Sequence, residues 1–252
     1  MSSLRRAIKN GNYNNLASRL FSSASLINNV EFAQMERTSH DKLLETREKI
    51  LECSLNQVSQ KGWTLQNLMD SANMLGYPSV THGILPNGEL DLVSHFLDKS
   101  MKETIFSIKQ EDFTNLASKE KLRKALTIRL KLNTSFLSTL PEAFAILAST
   151  KGIPIALDKL LTLVDQVSWN IGDKTSGMDW YSRRLSIAGL YTSTELYMMQ
   201  DQSVDQSATW EFLERRLSDY DEAVSFVQET SKVADFGLKS VVGILESKGI
   251  RI

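Results

Sequence analysis

Residues 42–78, KLLETREKILECSLNQVSQKGWTLQNLMDSANMLGYP, decide the fold. Leu43, Leu44, Ile50, Leu51, Leu55 and Val58 recur at spacings of three and four, the period of a helix with one apolar face. Gly62 ends that helix, and Thr64 is placed to cap a second one carrying Leu65, Leu68, Met69, Ala72 and Leu75. Gly76 then stands where the glycine after a helix belongs. Two helices are thus joined by a very short turn. Beyond Tyr77 and Pro78 the pattern gives a short third segment through Leu85 and a Pro86-Asn87-Gly88 turn. A long helix follows with Leu90, Leu92, Val93, Phe96, Leu97, Met101 and Ile105 on one face.

The helical period continues outward from this stretch. Helices are expected at about 118–137, at 141–150 with Pro141 in the first turn, and at 154–169, 178–200 and 205–219. Asp205 is placed to cap the last of these, and 170–177 and 200–204 read as polar turns. Sustained strict alternation, the mark of strands, is absent, so the chain reads as an all-α bundle.

Composition agrees. The chain has 252 residues, 42% of them hydrophobic and 23% charged, with 4 Pro and 12 Gly, which excludes wholesale disorder and a collagen-like rod. Its single cysteine, Cys53, closes no intrachain bridge and makes no thiolate zinc site alone; on the apolar face of the first helix it reads as a packed thiol. No apolar run approaches the roughly 20 residues that span a bilayer.

The net charge of −1 hides an asymmetry. Arg5, Arg6, Lys9 and Arg19 precede the first acid, Glu31, among many serines and asparagines, with Leu4, Ala7 and Ile8 beside the first three cations. That is the composition of a mitochondrial transit peptide, with a processing site expected after Phe21. Residues 1–40 therefore read as transit peptide and lead, and the remainder is acidic.

The opening helices, with Thr46 to Leu51, Gly62 to Leu65, Ala72 to Gly76 and Phe96-Leu97, resemble the first four helices of the tetracycline-repressor family over roughly residues 42–105. The resemblance implies a helix-turn-helix domain over 41–105 ahead of a helical ligand-binding and dimerisation domain over 106–219. Binding of DNA by such a motif needs Lys or Arg against phosphate. Not one stands between Lys61 and Lys99, whereas Asp70, Glu89, Asp91 and Asp98 do. The segment that would enter the groove, 78–84, offers Ser79, Thr81 and His82. No nucleic-acid partner is expected, and a ligand-responsive transcription regulator is the alternative reading.

Three strings in the second half carry a closer resemblance: Asp179-Trp180-Tyr181-Ser182-Arg183-Arg184, Tyr191 to Asp201 (YTSTELYMMQD), and Thr209 to Arg216 (TWEFLERR). With Leu75-Gly76-Tyr77-Pro78 and His82-Gly83 they are similar to the lipid-binding accessory proteins of ubiquinone biosynthesis, the ninth Coq protein family. The resemblance implies a non-enzymatic, homodimeric protein on the matrix face of the inner mitochondrial membrane. It further implies binding of polyisoprenoid quinone intermediates and their presentation to the demethoxyubiquinone hydroxylase. The aromatic pair Trp180 and Tyr181, with Asp179, Arg184 and, on the preceding helix, Asp165 and Val167, is by the same resemblance the surface that engages the hydroxylase.

The residues themselves offer no catalytic constellation. His40, His82 and His95 form no H-x-x-x-H pair, and neither a phosphate loop nor a nucleophile elbow is present, so no metal, cofactor or catalytic residue is assigned. A prenyl tail needs a long apolar cavity, which a helical bundle opens between its helices. Leu160, Leu163, Val164, Leu185, Leu190, Tyr191, Leu196 and Met199 have suitable spacing; each either lines such a cavity or packs the core, and spacing alone does not separate the two. Residues 220–252 read as a linker and an amphipathic helix. Its apolar half holds Val233, Leu238, Val241, Val242, Ile244 and Leu245, with Phe236 at the edge. Such a helix lies in a membrane interface or docks on the body or a dimer mate.

Overall fold

The computed structural model describes residues 41–78, 84–220 and 222, and among these every regular element is helical. The expected transit segment, the expected third segment around 79–83 and the C-terminal amphipathic helix lie outside the described residues. The chain falls into two compact units, Met1–Glu52 and Cys53–Ile252. Of the first, 41–52 is described, and it is helical. All that follows concerns the second.

Within it, residues 53–61 are helical and are called α1, which ends where Gly62 turns into the left-handed region at φ 68°. Helix α2 (Leu65–Met74) begins with the expected cap: the Thr64 hydroxyl accepts from the Asn67 backbone N–H at 3.2 Å. The Glu89 carboxylate takes a second free donor at this end, the N–H of Leu65, at 3.1 Å. Asn67 is fully buried and holds the turn closed, its Nδ2 donating to the carbonyls of Ser54 and Gly62. Gly76 takes φ 78° just past the helix, as its position requires.

The rest comprises α3 (Glu89–Gln110), α4 (Ser118–Lys131), α5 (Leu140–Leu147), α6 (Gly152–Asn170), α7 (Met178–Met198) and α8 (Ser207–Ser218), with 3-10 turns at Thr134–Phe136 and Val204–Gln206. Helix α6 packs against α3 and α7, α8 against α7 and α4, and α5 bridges α3 and α6. The core between them is made by residues such as Leu126, Leu130, Val164, Val167, Ile187 and Leu213. A second apolar knot ties the α1–α2 turn to α3 and α5. Trp63 is buried against Phe96 and Phe136, and its Nε1 donates to the Thr139 carbonyl at 3.0 Å.

Two helix boundaries differ from expectation. The helix expected through 137 stops at Lys131, because the final turn tightens to i→i−3 bonds and Asn133 turns its amide inward to partners of its own. The cap expected of Asp205 is made by Asp201, whose Oδ2 accepts from the N–H and hydroxyl of Thr209 at 2.8 and 2.5 Å. Asp205 instead sits at φ 54°, and its carbonyl accepts from Trp210 Nε1.

No single helix among the described residues is long and apolar enough to cross a membrane. Helices α5 and α6 meet at 111°, and Gly152 makes that corner possible. A Cβ there would stand 2.5 Å from the Ile146 carbonyl oxygen and 2.6 Å from that of Leu147.

Candidate functional site

A cavity of about 260 Å³ opens between α3, α5, α6 and α7. Its apolar walls include Val93, Phe96 and Met101 of α3, Phe144 and Leu147 of α5, and Leu160 and Leu163 of α6. Short side chains make the space: Ala143 on α5 and Ala156 on α6 present only methyl groups where the helices approach. Polar groups enter at two places. Lys159 and Asp98 pair across α6 and α3 at 2.7 and 2.8 Å, both partly exposed.

The other polar place is buried. Arg129 of α4 is 1% exposed; its Nη1 donates to Asn133 Oδ1 at 2.7 Å, and its Nη2 stands 4.0 Å from Glu195 Oε1. That oxygen also accepts from Asn133 Nδ2 at 2.6 Å and from the Tyr191 hydroxyl at 2.5 Å. Burial pushes the Tyr191 phenol well above the ordinary tyrosine value; Glu195 adds to the rise and Arg129 opposes it, so the hydroxyl remains a donor at neutral pH. The rings of Phe96 and Tyr191 flank the guanidinium at 5.9 and 5.6 Å.

A second arrangement lies where the 171–177 turn enters α7. Arg184, 4% exposed, donates through Nε to Asp165 of α6 at 3.0 Å and through Nη1 to Asp173 of the turn at 3.1 Å. Its guanidinium carbon sits 4.6 Å from the centre of the Trp180 ring. Trp180 in turn meets Tyr181 edge-on, with ring centres 4.8 Å apart. Burial opposes the charged form of Asp173, but hydrogen bonds from Thr175 and the charge of Arg184 outweigh it and hold its carboxyl below the ordinary aspartate value. One arginine therefore fixes a helix, a turn and an aromatic ring together.

Of the apolar residues singled out from spacing, Leu160, Leu163 and Tyr191 line the cavity. Val164 and Leu190 lie in the adjoining core, Met199 is half-buried past the end of α7, and Leu185 and Leu196 are 51% and 42% exposed. Of the surface group, Asp165, Trp180 and Arg184 come together, Asp179 and Tyr181 are exposed beside them, and Val167 is fully buried in the core. Val233, Phe236, Leu238, Val241, Val242, Ile244 and Leu245 lie outside the described residues. Arg129, Asn133 and Glu195 escaped sequence reasoning. Their signal was present as i,i+4 polar pairs, Arg129 with Asn133 and Tyr191 with Glu195, set among leucines. Among the described residues no group of three or more His, Cys, Asp or Glu is arranged to hold a metal ion.

These features define a class of protein: an all-helical bundle that keeps an apolar cavity between its helices, with an anchored aromatic pair at one helix start. The COQ9 family model matches residues 153–224, which take in nearly all of α6 and the whole of α7 and α8. The chain is 40% identical over 182 residues to the mitochondrial ubiquinone biosynthesis protein COQ9 of Drosophila melanogaster, covering 71% of this chain and 55% of that one. It is 34% identical over 203 residues to the probable mitochondrial ubiquinone biosynthesis protein coq9 of Dictyostelium discoideum, covering 78% and 66%. To the mitochondrial COQ9 of Bos taurus it is 30% identical over 217 residues, covering 83% and 67%. The chain belongs to the COQ9 family. It spans between about half and two thirds of the length of these relatives.

Proposed function

We propose that the protein is a non-enzymatic lipid-binding accessory protein of ubiquinone biosynthesis in the mitochondrion, which takes a polyisoprenoid quinone intermediate at the matrix face of the inner membrane and presents it to the demethoxyubiquinone hydroxylase. The observation that carries this reading is the apolar cavity between α3, α5, α6 and α7 in a member of a family whose relatives are named for ubiquinone biosynthesis. At about 260 Å³ it lies at the small end of ligand pockets, roughly 300–1,000 Å³, so it takes a ring or a short prenyl piece while the rest of a long tail runs out past the helices. The Asp165, Trp180, Tyr181 and Arg184 group is the surface for the hydroxylase. The apolar residues from Val233 to Leu245 are the membrane contact, and the protein acts as a homodimer.

Native mass spectrometry of the mature protein with lipid extraction tests the central claim. A co-purified isoprenoid is expected; a protein that stays empty under gentle lysis and also refuses added quinone overturns it. Deletion of 226–252 is expected to reduce flotation with liposomes, and full flotation would remove the C-terminal segment from the reading. The regulator reading is not favoured, given the family and the absence of any Lys or Arg from 62 to 98.

A further inference from the structure

We infer that Glu195 is the residue by which the cavity recognises a headgroup: its Oε2 accepts a hydrogen bond from the hydroxyl of an otherwise apolar ligand, a phenolic ring. The inference rests on the lipid-binding reading and adds what the cavity selects.

An ionised carboxylate only accepts, with room for about four hydrogen bonds over its two oxygens. In Glu195 the bonds are all on one side. Oε1 takes the Asn133 amide at 2.6 Å and the Tyr191 hydroxyl at 2.5 Å, and Arg129 Nη2 stands 4.0 Å from that same atom. Among the described residues Oε2 has no partner. A carboxylate oxygen taken from water and left unpaired is costly. Oε2 is also open, unlike the Arg129 Nε–H, which is sealed within the wall. Glu195 lines the cavity and keeps 6% of its surface, against 1% for Arg129. Asn133 is fully buried, and the Tyr191 proton is committed to Oε1. What an occupant meets at this wall is therefore an acceptor.

The surroundings say what kind of donor answers it. Arg129 stands close behind the carboxylate, so a cation entering would meet a guanidinium, and an anion would meet the carboxylate itself. Either would also have to shed its water. A neutral O–H avoids both difficulties. An ether or a hydrocarbon leaves Oε2 unpaired, and a carbonyl sets one acceptor against another. Among hydroxyls a phenol is more acidic than an alcohol and makes the stronger bond to a charged oxygen. The cavity suits a ring as well, since Phe96, Phe144 and Tyr191 stand in its walls. Tyr191 holds the carboxylate from the preceding turn of α7 and Asn133 from just past α4, so the acceptor is positioned before a ligand arrives.

The experiment uses the full chain and five probes: 4-decylphenol, its methyl ether 4-decylanisole, a decyl-substituted 1,4-benzoquinone, hexadecan-1-ol and the methyl ether of that alcohol. The phenol is expected to bind at least about tenfold tighter than the anisole, the effect of one charge-assisted hydrogen bond. Its gain over the ether should exceed the gain of the alcohol over its own ether. Glu195→Gln keeps the shape, leaves a carbonyl oxygen for Tyr191 and Asn133, and puts an amide N–H where Oε2 was. In that variant the preference for phenol over anisole should disappear and the quinone should gain, whereas a purely structural role would weaken all five probes alike. Because the variant leaves Arg129 without its counter-charge, a measurement on the unaltered protein stands beside it. A ring-fluorinated 4-decylphenol, a stronger O–H donor, should bind more tightly than its parent, and the same fluorine on the anisole should change little. Equal binding of phenol and anisole, tightest binding by the quinone, a preference that survives Glu195→Gln, or an equal gain from fluorine on both rings overturns the Glu195 site. A larger gain for the alcohol overturns the phenolic assignment. If none of the probes binds, the lipid-binding reading fails and this inference with it.

Discussion

Asp201 organises the start of α8 with a single carboxylate. Its Oδ1 accepts from the Ser203 N–H at 2.8 Å, and its Oδ2 takes the Thr209 N–H and hydroxyl. Burial works against its charge, but the hydrogen bonds from Ser203 and Thr209 outweigh it and hold the pKa at about 2, against an ordinary 3.8. Because the folded value lies below the unfolded one, its stabilising contribution is complete above about pH 4 and is lost as pH falls toward about 2. Asp201→Ala is expected to destabilise by about 1 kcal/mol at pH 6, the usual effect of losing an N-terminal cap. Urea midpoints of the two proteins should then converge near pH 2. Equal midpoints at pH 6, or a gap that persists unchanged to pH 2, would refute the capping role. The sequence pointed to Asp205 instead, because a local rule favours the acid immediately before an apolar run. The 3-10 turn Val204–Gln206 reverses the chain and brings an earlier acid to the helix end, a step that hydrophobic spacing does not encode.

At the scale of elements, the α1–α2 junction was legible and the α6–α7 junction only half so. Gly62, Thr64 and Gly76 act through backbone conformation and a bond three residues away, both local, and the structure has each where the pattern put it. Trp180 and Tyr181 were legible as aromatics at a helix start, with Asp179 before them. Arg184 was legible, by resemblance, as a member of the surface group, but its burial was not, since that depends on Asp165, 19 positions earlier, and Asp173, 11 earlier. That burial shapes the expected result of altering the aromatic pair. Trp180 is half-buried on the guanidinium, whereas Tyr181 is 60% exposed, so the ring presents one face to the fold and one outward. Trp180→Lys should abolish co-purification with the hydroxylase, because it sets a cation beside Arg184 and removes the anchor from the surface. Helical circular dichroism should persist, since α7 is held elsewhere by the core around Ile187 and Leu190. Undiminished co-purification would take Trp180 out of the interface.

On the scale of the whole molecule, the all-α class followed from periodicity alone, while the cavity required knowing which apolar faces stop short of touching. Leu160 and Leu163 line it, yet Val164, next in sequence, is packed solid, and nothing in their residue type separates them. The buried polar wall was hidden for a similar reason. Asn133 and Glu195 meet across 62 residues of chain, so each looks like an ordinary surface polar residue until α4 and α7 are brought together. This geometry permits a test that separates cavity from core. Ala156 stands on the cavity wall one helical turn before Leu160, and a larger apolar side chain there occupies empty space rather than displacing neighbours. Ala156→Phe is expected to leave stability within about 1 kcal/mol of the natural protein, the range of a cavity-filling change. Co-purified isoprenoid should fall to a small fraction of its original amount. Leu185→Ser, on the exposed side of α7, provides the comparison and should retain the lipid. If Ala156→Phe folds normally and keeps its lipid, the ligand occupies some other part of the protein. Loss from both variants would point to a surface contact in place of a cavity, so the pair of outcomes locates the ligand by the space it needs.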